Sequence, residues 1–187
     1  MIHSMNIPQI YQLFKKSKGI STDTRNIDEG QIFLALKGGA FDGNQYADFA
    51  LNNGATFAIV DDEKVVKDDR YILVMDGLHT LQSLANYHRN QFQLPVLALT
   101  GTNGKTTTKE LIVAVLEQEF KLCYTKGNLN NQIGVPLTLL TINKDSQLAI
   151  VEMGANKIGD IRELCSIANP THGLITNVGK AHLEGFG

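Results

Sequence analysis

Leu97-Ala98-Leu99-Thr100-Gly101-Thr102-Asn103-Gly104-Lys105-Thr106-Thr107-Thr108 is the stretch from which the fold is read. The apolar run 96–99 predicts a buried strand, the two glycines a tight turn, and the composition of 105–116 a helix. Strand, glycine loop and helix in that order aim several backbone N–H groups and the positive end of a helix at one spot, where a polyphosphate can sit. Gly101, Thr102, Asn103, Gly104 and Thr107 would cradle it, Lys105 would reach the β- and γ-phosphates, and the Thr106 hydroxyl would serve Mg²⁺. The longer G-x-x-x-x-G-K-[ST] pattern is not met, because Leu99 stands at its first glycine; the shorter Gly-Thr-Asn-Gly-Lys-Thr is what is present. The competing reading is a glycine turn capped by threonines.

Outward from this stretch, strand and helix patterns alternate. Downstream, residues 121–124, 148–151 and 172–176 read as strands, and 133–140 and 158–168 as helices. Such alternation predicts an α/β fold with a parallel sheet covered by helices on both faces, and ligands collect beyond the carboxyl ends of its strands. Those ends carry the glycine loop, the run Lys126-Gly127-Asn128-Leu129-Asn130-Asn131, Glu152, and Asn177 with Lys180 and His182. Glu152 stands where a carboxylate in a phosphate-loop protein can hold Mg²⁺ or its water, and its other reading is an acid capping the next helix. The asparagines read equally well as turn formers, and His182 as a solvated loop residue.

Upstream, a helix is predicted over 8–16, then a polar stretch, Ser21-Thr22-Asp23-Thr24-Arg25, and a strand over 31–36. Residues 37–44, Lys-Gly-Gly-Ala-Phe-Asp-Gly-Asn, form a glycine-rich loop that either lets backbone approach a ligand closely or simply joins strand to helix. A helix over 45–53 and strands over 56–60 and 71–75 complete a small α/β unit with no catalytic cluster of its own. The boundary is expected near Asp76, giving domains 1–76 and 77–187, and the helix that follows carries His79 and His88, to which no role is assigned.

With 187 residues and 43% apolar content the chain can build a proper core, and 17 basic against 19 acidic side chains give a net charge of −2. No net positive field exists to draw nucleic acid or an anionic membrane, so neither is expected as a partner. The N-terminus lacks a basic start followed by an apolar core, and no apolar run approaches the ~18 residues of a membrane span, so a cytoplasmic location is expected. Cys123 and Cys165 have no metal-type spacing and read as buried fillers.

Taken together, Thr-Gly-Thr-Asn-Gly-Lys-Thr-Thr-Thr (100–108), Gly-Asn-Leu-Asn-Asn-Gln-Ile-Gly-Val-Pro-Leu-Thr-Leu-Leu (127–140), Val-Glu-Met-Gly-Ala-Asn (151–156) and Ile-Thr-Asn-Val-Gly-Lys-Ala-His-Leu-Glu-Gly-Phe-Gly (175–187) resemble the Mur ligases of peptidoglycan synthesis. Asp23-Thr24-Arg25, the 32–38 run and Phe41-Asp42-Gly43 resemble the family's UDP-binding N-terminal domain. Within the family the resemblance is greatest to the ligase that joins D-Ala-D-Ala to UDP-MurNAc-tripeptide. It implies ATP contacts from Lys105, one Mg²⁺ served by Thr106 and Glu152, a second Mg²⁺ held by His182, and Asn131 lining the cleft near the phosphates. It also places Thr24, Arg25, Lys37, Gly38, Phe41, Asp42 and Gly43 near the UDP-sugar. Thr24 stands where the family often has serine, and Lys157-Ile158 where the most similar members have His-Pro. Mur ligases run well over twice this length, with a carbamylated lysine and an amine-binding domain downstream, so this chain is expected to be an inactive part of a longer, monomeric protein. Alternatives are another member of the family, or a non-catalytic module that binds a nucleotide sugar. A phosphate-loop GTPase is disfavoured, since Asn177-Val178-Gly179-Lys180 lacks the aspartate of a guanine-reading motif.

Overall fold

A computed structural model describes residues 5–39 and 41–179. The chain divides between Leu84 and Ala85 into two compact units. In the first, helix α1 (Ile7–Phe14) starts at Asn6, whose side chain accepts from the Gln9 N–H at 3.0 Å while the Gln9 side chain accepts from the Asn6 N–H at 2.9 Å. Strands β1 (Ile20–Ser21), β2 (Ile32–Leu34), β5 (Phe57–Val60) and β6 (Tyr71–Leu73) form a parallel sheet in that order. Between β2 and β5 lie the short antiparallel pair β3 (Lys37–Gly38) and β4 (Phe41–Asp42) and helix α2 (Ala47–Asn52). Alternation along the strands puts Phe33, Ala58 and Tyr71 on one face, where they pack with Ala47, Ala50 and Leu51 of α2.

Three expectations are corrected here. The stretch read only as polar begins with a strand, because Ile20 and Ser21 pair with Ile32 and Phe33. The glycine-rich loop contains a hairpin, Lys37 opposite Asp42 and Gly38 opposite Phe41. The expected helix over 45–53 begins as a 3₁₀ turn, Gly43–Tyr46, before α2.

Helix α3 (Gly77–Arg89) leads to β7 (Val96–Thr100), helix α4 (Lys105–Leu116), β8 (Leu122–Tyr124), α5 (Gly134–Leu139), β9 (Leu148–Glu152), α6 (Asp160–Ala168) and β10 (His172–Ile175). The second sheet is parallel throughout, in the order β10-β7-β9-β8, so β9 lies between β7 and β8. Leu99 and Ile150 face α4 and pack with its Val113, while Cys123 turns the other way, its Sγ donating to the Thr138 carbonyl of α5 at 3.5 Å. Fully burying side chains such as Leu99 and Ile150 contributes roughly 1.5–3 kcal/mol each. Cys123 is buried and Cys165 only partly so. Among the described residues no helix is long and apolar enough to cross a membrane.

Candidate functional site

Because all four strands of the second sheet run parallel, their carboxyl ends share one edge. After β7 the chain turns through Gly101, at φ +143°, and Gly104, at φ +76°, into α4. A side chain at 101 would put its Cβ 2.1 Å from the Thr176 hydroxyl and 3.0 Å from the Asn177 carbonyl oxygen, so only glycine lets β10 close against the loop. The segment after β10 braces the loop. Asn177 accepts from the Asn103 N–H at 3.0 Å and donates its amide to the Asn103 carbonyl at 3.0 Å, and the Thr176 hydroxyl reaches the same carbonyl at 2.7 Å. The Gly179 N–H donates to the Thr102 hydroxyl at 2.9 Å. The Lys105 ammonium curls back over its own loop, donating to the carbonyls of Gly101 at 2.8 Å and Thr102 at 3.3 Å. Thr107 follows in the first turn of α4, whose N–H groups lack intrahelical partners.

Glu152, the last residue of β9, is 1% exposed. Its Oε1 accepts from the Thr106 hydroxyl at 3.1 Å and from the Asn130 amide at 2.8 Å. Its Oε2 is buried and has no hydrogen-bond partner. An acid that merely capped the next helix would spend its carboxylate on backbone N–H groups of α6. Glu152 makes no such bond, and α6 carries no side-chain cap; Asp160, its first residue, uses Oδ2 to accept from the N–H groups of Asn156 at 2.8 Å and Lys157 at 3.1 Å in the turn before the helix. The Asn130 carbonyl also takes the Gly154 N–H at 2.7 Å, which locks the asparagine loop to the chain beyond β9. Asn131, expected to line the cleft, uses its Oδ1 to accept from the N–H groups of Ile133 at 3.0 Å and Gly134 at 2.9 Å, at the start of α5. Lys180 and His182 lie outside the described residues. Among the described residues no group of three or more His, Cys, Asp or Glu could hold a metal ion.

In the first unit, Lys37 pairs with Asp61 at 2.8 Å. Asn44, 1% exposed, joins Asp42 to Asp61, its Nδ2 donating at 2.7 Å to Oδ1 of each, and the Gly77 N–H donates to Asp61 at 3.2 Å. Burial pushes the Asp61 carboxyl up, but the bonds from Lys37, Asn44 and Gly77 outweigh it and leave it below its ordinary value. Gly43 is held tightly here, since a Cβ would come 2.7 Å from the Leu36 backbone N and O. The rings of Phe41 and Tyr46 stack at 5.3 Å, both exposed, and Gly38 stands opposite Phe41. Thr24 and Arg25 lie in a separate 3₁₀ turn capped by Asp23. The Arg25 side chain and backbone N–H hold the Asp23 carboxyl down at about 2. No hydrogen bond or ion pair among the described residues joins Thr24 or Arg25 to the hairpin.

Sequence reasoning missed Asn44, Asp61, Thr125 and Lys109, and left Asn130 open between a strand-end polar group and a turn former. Lys109 carried a usable signal, because a residue four after Lys105 lies on the same helix face.

Glycine loop, helix N-terminus, loop lysine and strand-end carboxylate stand at one edge of a parallel sheet, the arrangement of a phosphate-loop α/β unit. Residues 99–187 match the Mur ligase middle domain, and residues 16–89 match the model described as Mur ligase family, catalytic domain. The chain belongs to the Mur ligase family. It is 46% identical over 166 residues to the UDP-N-acetylmuramoyl-tripeptide–D-alanyl-D-alanine ligase of Synechocystis, covering 88% of this chain and 37% of the relative. It is 42% identical over 168 residues to the ligase of that name from Escherichia coli, covering 90% of this chain and 37% of the relative. Among solved structures, MurF from Acinetobacter baumannii superposes with a TM-score of 0.84 at 36% identity, over 97% of this chain and 43% of that one. MurF ligase from Thermotoga maritima, solved in complex with ADP, gives 0.80 at 38% identity, over 89% of this chain and 39% of that one. The chain thus spans well under half the length of these relatives.

Proposed function

We propose that the chain supplies the UDP-sugar-binding and ATP-binding parts of a cytoplasmic ligase that joins D-Ala-D-Ala to UDP-MurNAc-tripeptide. Residues 1–76 take the nucleotide sugar, through Thr24, Arg25 and the segment 37–43, and 77–187 take ATP and Mg²⁺. The observation that carries the reading is Glu152: a buried carboxylate oxygen with no partner, beside a threonine hydroxyl, directly after a phosphate loop. Hard oxygen donors of this kind fit Mg²⁺, and Thr106 and Glu152 would hold one ion, with His182 a ligand of a second. When bound, the ion neutralises charge on the phosphates and polarises them for transfer.

The chemistry implied by the family begins with attack of the tripeptide carboxylate on the γ-phosphate of ATP, giving an acyl phosphate and ADP. The amine of D-Ala-D-Ala then displaces phosphate to form the amide. The first step brings one anion to another, and the loop answers this with backbone N–H groups, the end of α4 and the Lys105 cation. Lys105 must leave its own loop carbonyls to reach a phosphate, an exchange of one set of hydrogen bonds for a charge-assisted set. The braced loop fixes the phosphate direction in advance, so positioning contributes with little reorganisation.

The test is calorimetric titration with ATP in the presence of Mg²⁺. Lys105→Ala is expected to weaken binding, and to lower turnover of the ligase by roughly 10²- to 10³-fold, the scale for losing one preorganised charge-stabilising group. Unchanged affinity in Lys105→Ala, or no ATP binding by the unaltered chain, sinks the assignment.

A further inference from the structure

Lys109 is fully buried, yet the phosphate and substrate chemistry gives it no task. A buried ammonium costs stability unless it is hydrogen-bonded, and an apolar chain of the same length would fill the slot more cheaply. Its partners show what it holds. The Nζ donates to the Thr125 carbonyl at 2.7 Å and pairs with the half-exposed Glu110 carboxylate at 2.8 Å. Thr125, also fully buried, is the first residue after β8 and opens the loop that carries Asn130. Its N–H donates to the Ile150 carbonyl at 3.0 Å, and its hydroxyl accepts from the Glu152 N–H at 2.9 Å.

One turn along α4 from Thr106, then, the ammonium ties the asparagine loop to the helix, and Thr125 ties both to the end of β9. Thr106, Asn130 and Glu152, which meet at one carboxylate oxygen, come from these same three elements. We infer that Lys109 is a positioning residue for the cation site: through Thr125 it sets the Glu152 carboxylate in register with Thr106 and Asn130. The inference rests on the proposal that Thr106 and Glu152 hold Mg²⁺. A lysine that only filled the core would affect nucleotide binding equally with and without the metal.

The experiment measures a fluorescent ATP analogue binding to the unaltered chain, Lys109→Met, Thr125→Val and Thr125→Ser, each in Mg²⁺ and in EDTA. Lys109→Met is expected to lose about 10- to 100-fold in affinity in Mg²⁺, the range for a residue that orients a metal ligand, and to match the unaltered chain in EDTA. Thr125→Val should repeat that pattern, and Thr125→Ser, which keeps the hydroxyl, should restore the Mg²⁺ response. If the unaltered chain gains nothing from Mg²⁺, the metal-site proposal itself fails. If it gains and Lys109→Met gains as much, or loses equally in both buffers, the positioning role is overturned. Should circular dichroism show Lys109→Met unfolded, Thr125→Val decides alone, and a full Mg²⁺ response in that variant overturns the inference.

Discussion

Glu152 buries its carboxyl group, with one oxygen bonded twice and the other not at all. That is a poor arrangement for stability and a good one for receiving a cation. Glu152→Gln removes the charge and keeps the shape. We expect it to leave the urea midpoint of the metal-free chain no lower, and to cut the Mg²⁺-dependent gain in nucleotide affinity by about 10- to 100-fold. His88 gives a second expectation, this one in pH. Burial lowers its imidazole below the ordinary value, against the opposing bond to the Ile142 carbonyl at 2.8 Å. The unfolded chain therefore binds the proton more readily, so stability is undiminished above about pH 6.5 and falls as the pH drops from there towards the lower folded value. Urea midpoints should decline across that window, and His88→Gln should flatten the decline. At this scale the glycine turn between β7 and α4 and the place of Glu152 at the end of β9 were legible because both are local in sequence. Asn130 and Asn131 were not separable, since adjacent asparagines differ only in where the loop turns them, and Lys109 was hidden because a lysine is ordinarily read as solvated.

Among the elements, α5 shows most directly how packing serves the site. Its first residue, Gly134, passes under the asparagine loop so closely that a Cβ would lie 2.3 Å from the Leu129 backbone carbon. Gly134→Ala must push Leu129 away, and with it the neighbouring Asn130. The expected cost is about 1–3 kcal/mol of stability, read from urea denaturation, together with a weaker Mg²⁺ response; an unchanged midpoint would mean that the loop yields freely. The long apolar strands β7 and β9 and the helix α4 could be read from their patterns. Strands β1, β3 and β4 could not, because two residues are too few to show a period and only their pairing partners define them. The Asn44–Asp61 bonds that carry the hairpin join residues 17 apart, a distance over which no local pattern speaks.

At the scale of the whole molecule, two units each carry a parallel sheet, and the alternation of strand and helix made both sheets predictable. The strand order of the second sheet was not legible, since β7 pairs with β9 and β10 and not with β8, the next strand in the chain. Hydrogen exchange on the intact chain should separate the two proposed sites. UDP-sugar is expected to slow exchange in the 37–44 segment and ATP with Mg²⁺ in the 101–108 segment, each leaving the other as it was; protection of both by ATP alone would refute the division. The order β10-β7-β9-β8 also has a consequence for biosynthesis. Both sheet neighbours of β7 are made after it, β9 only at residues 148–152 and β10 at 172–175. While the intervening fifty or so residues emerge from the ribosome, the strand that leads into the phosphate loop has no lateral partner and bares its apolar face to the crowded surroundings. The nascent chain is thus exposed to wrong pairings for a few seconds at ordinary elongation rates, and chaperone capture should peak over that interval and fall once β9 has slid into place.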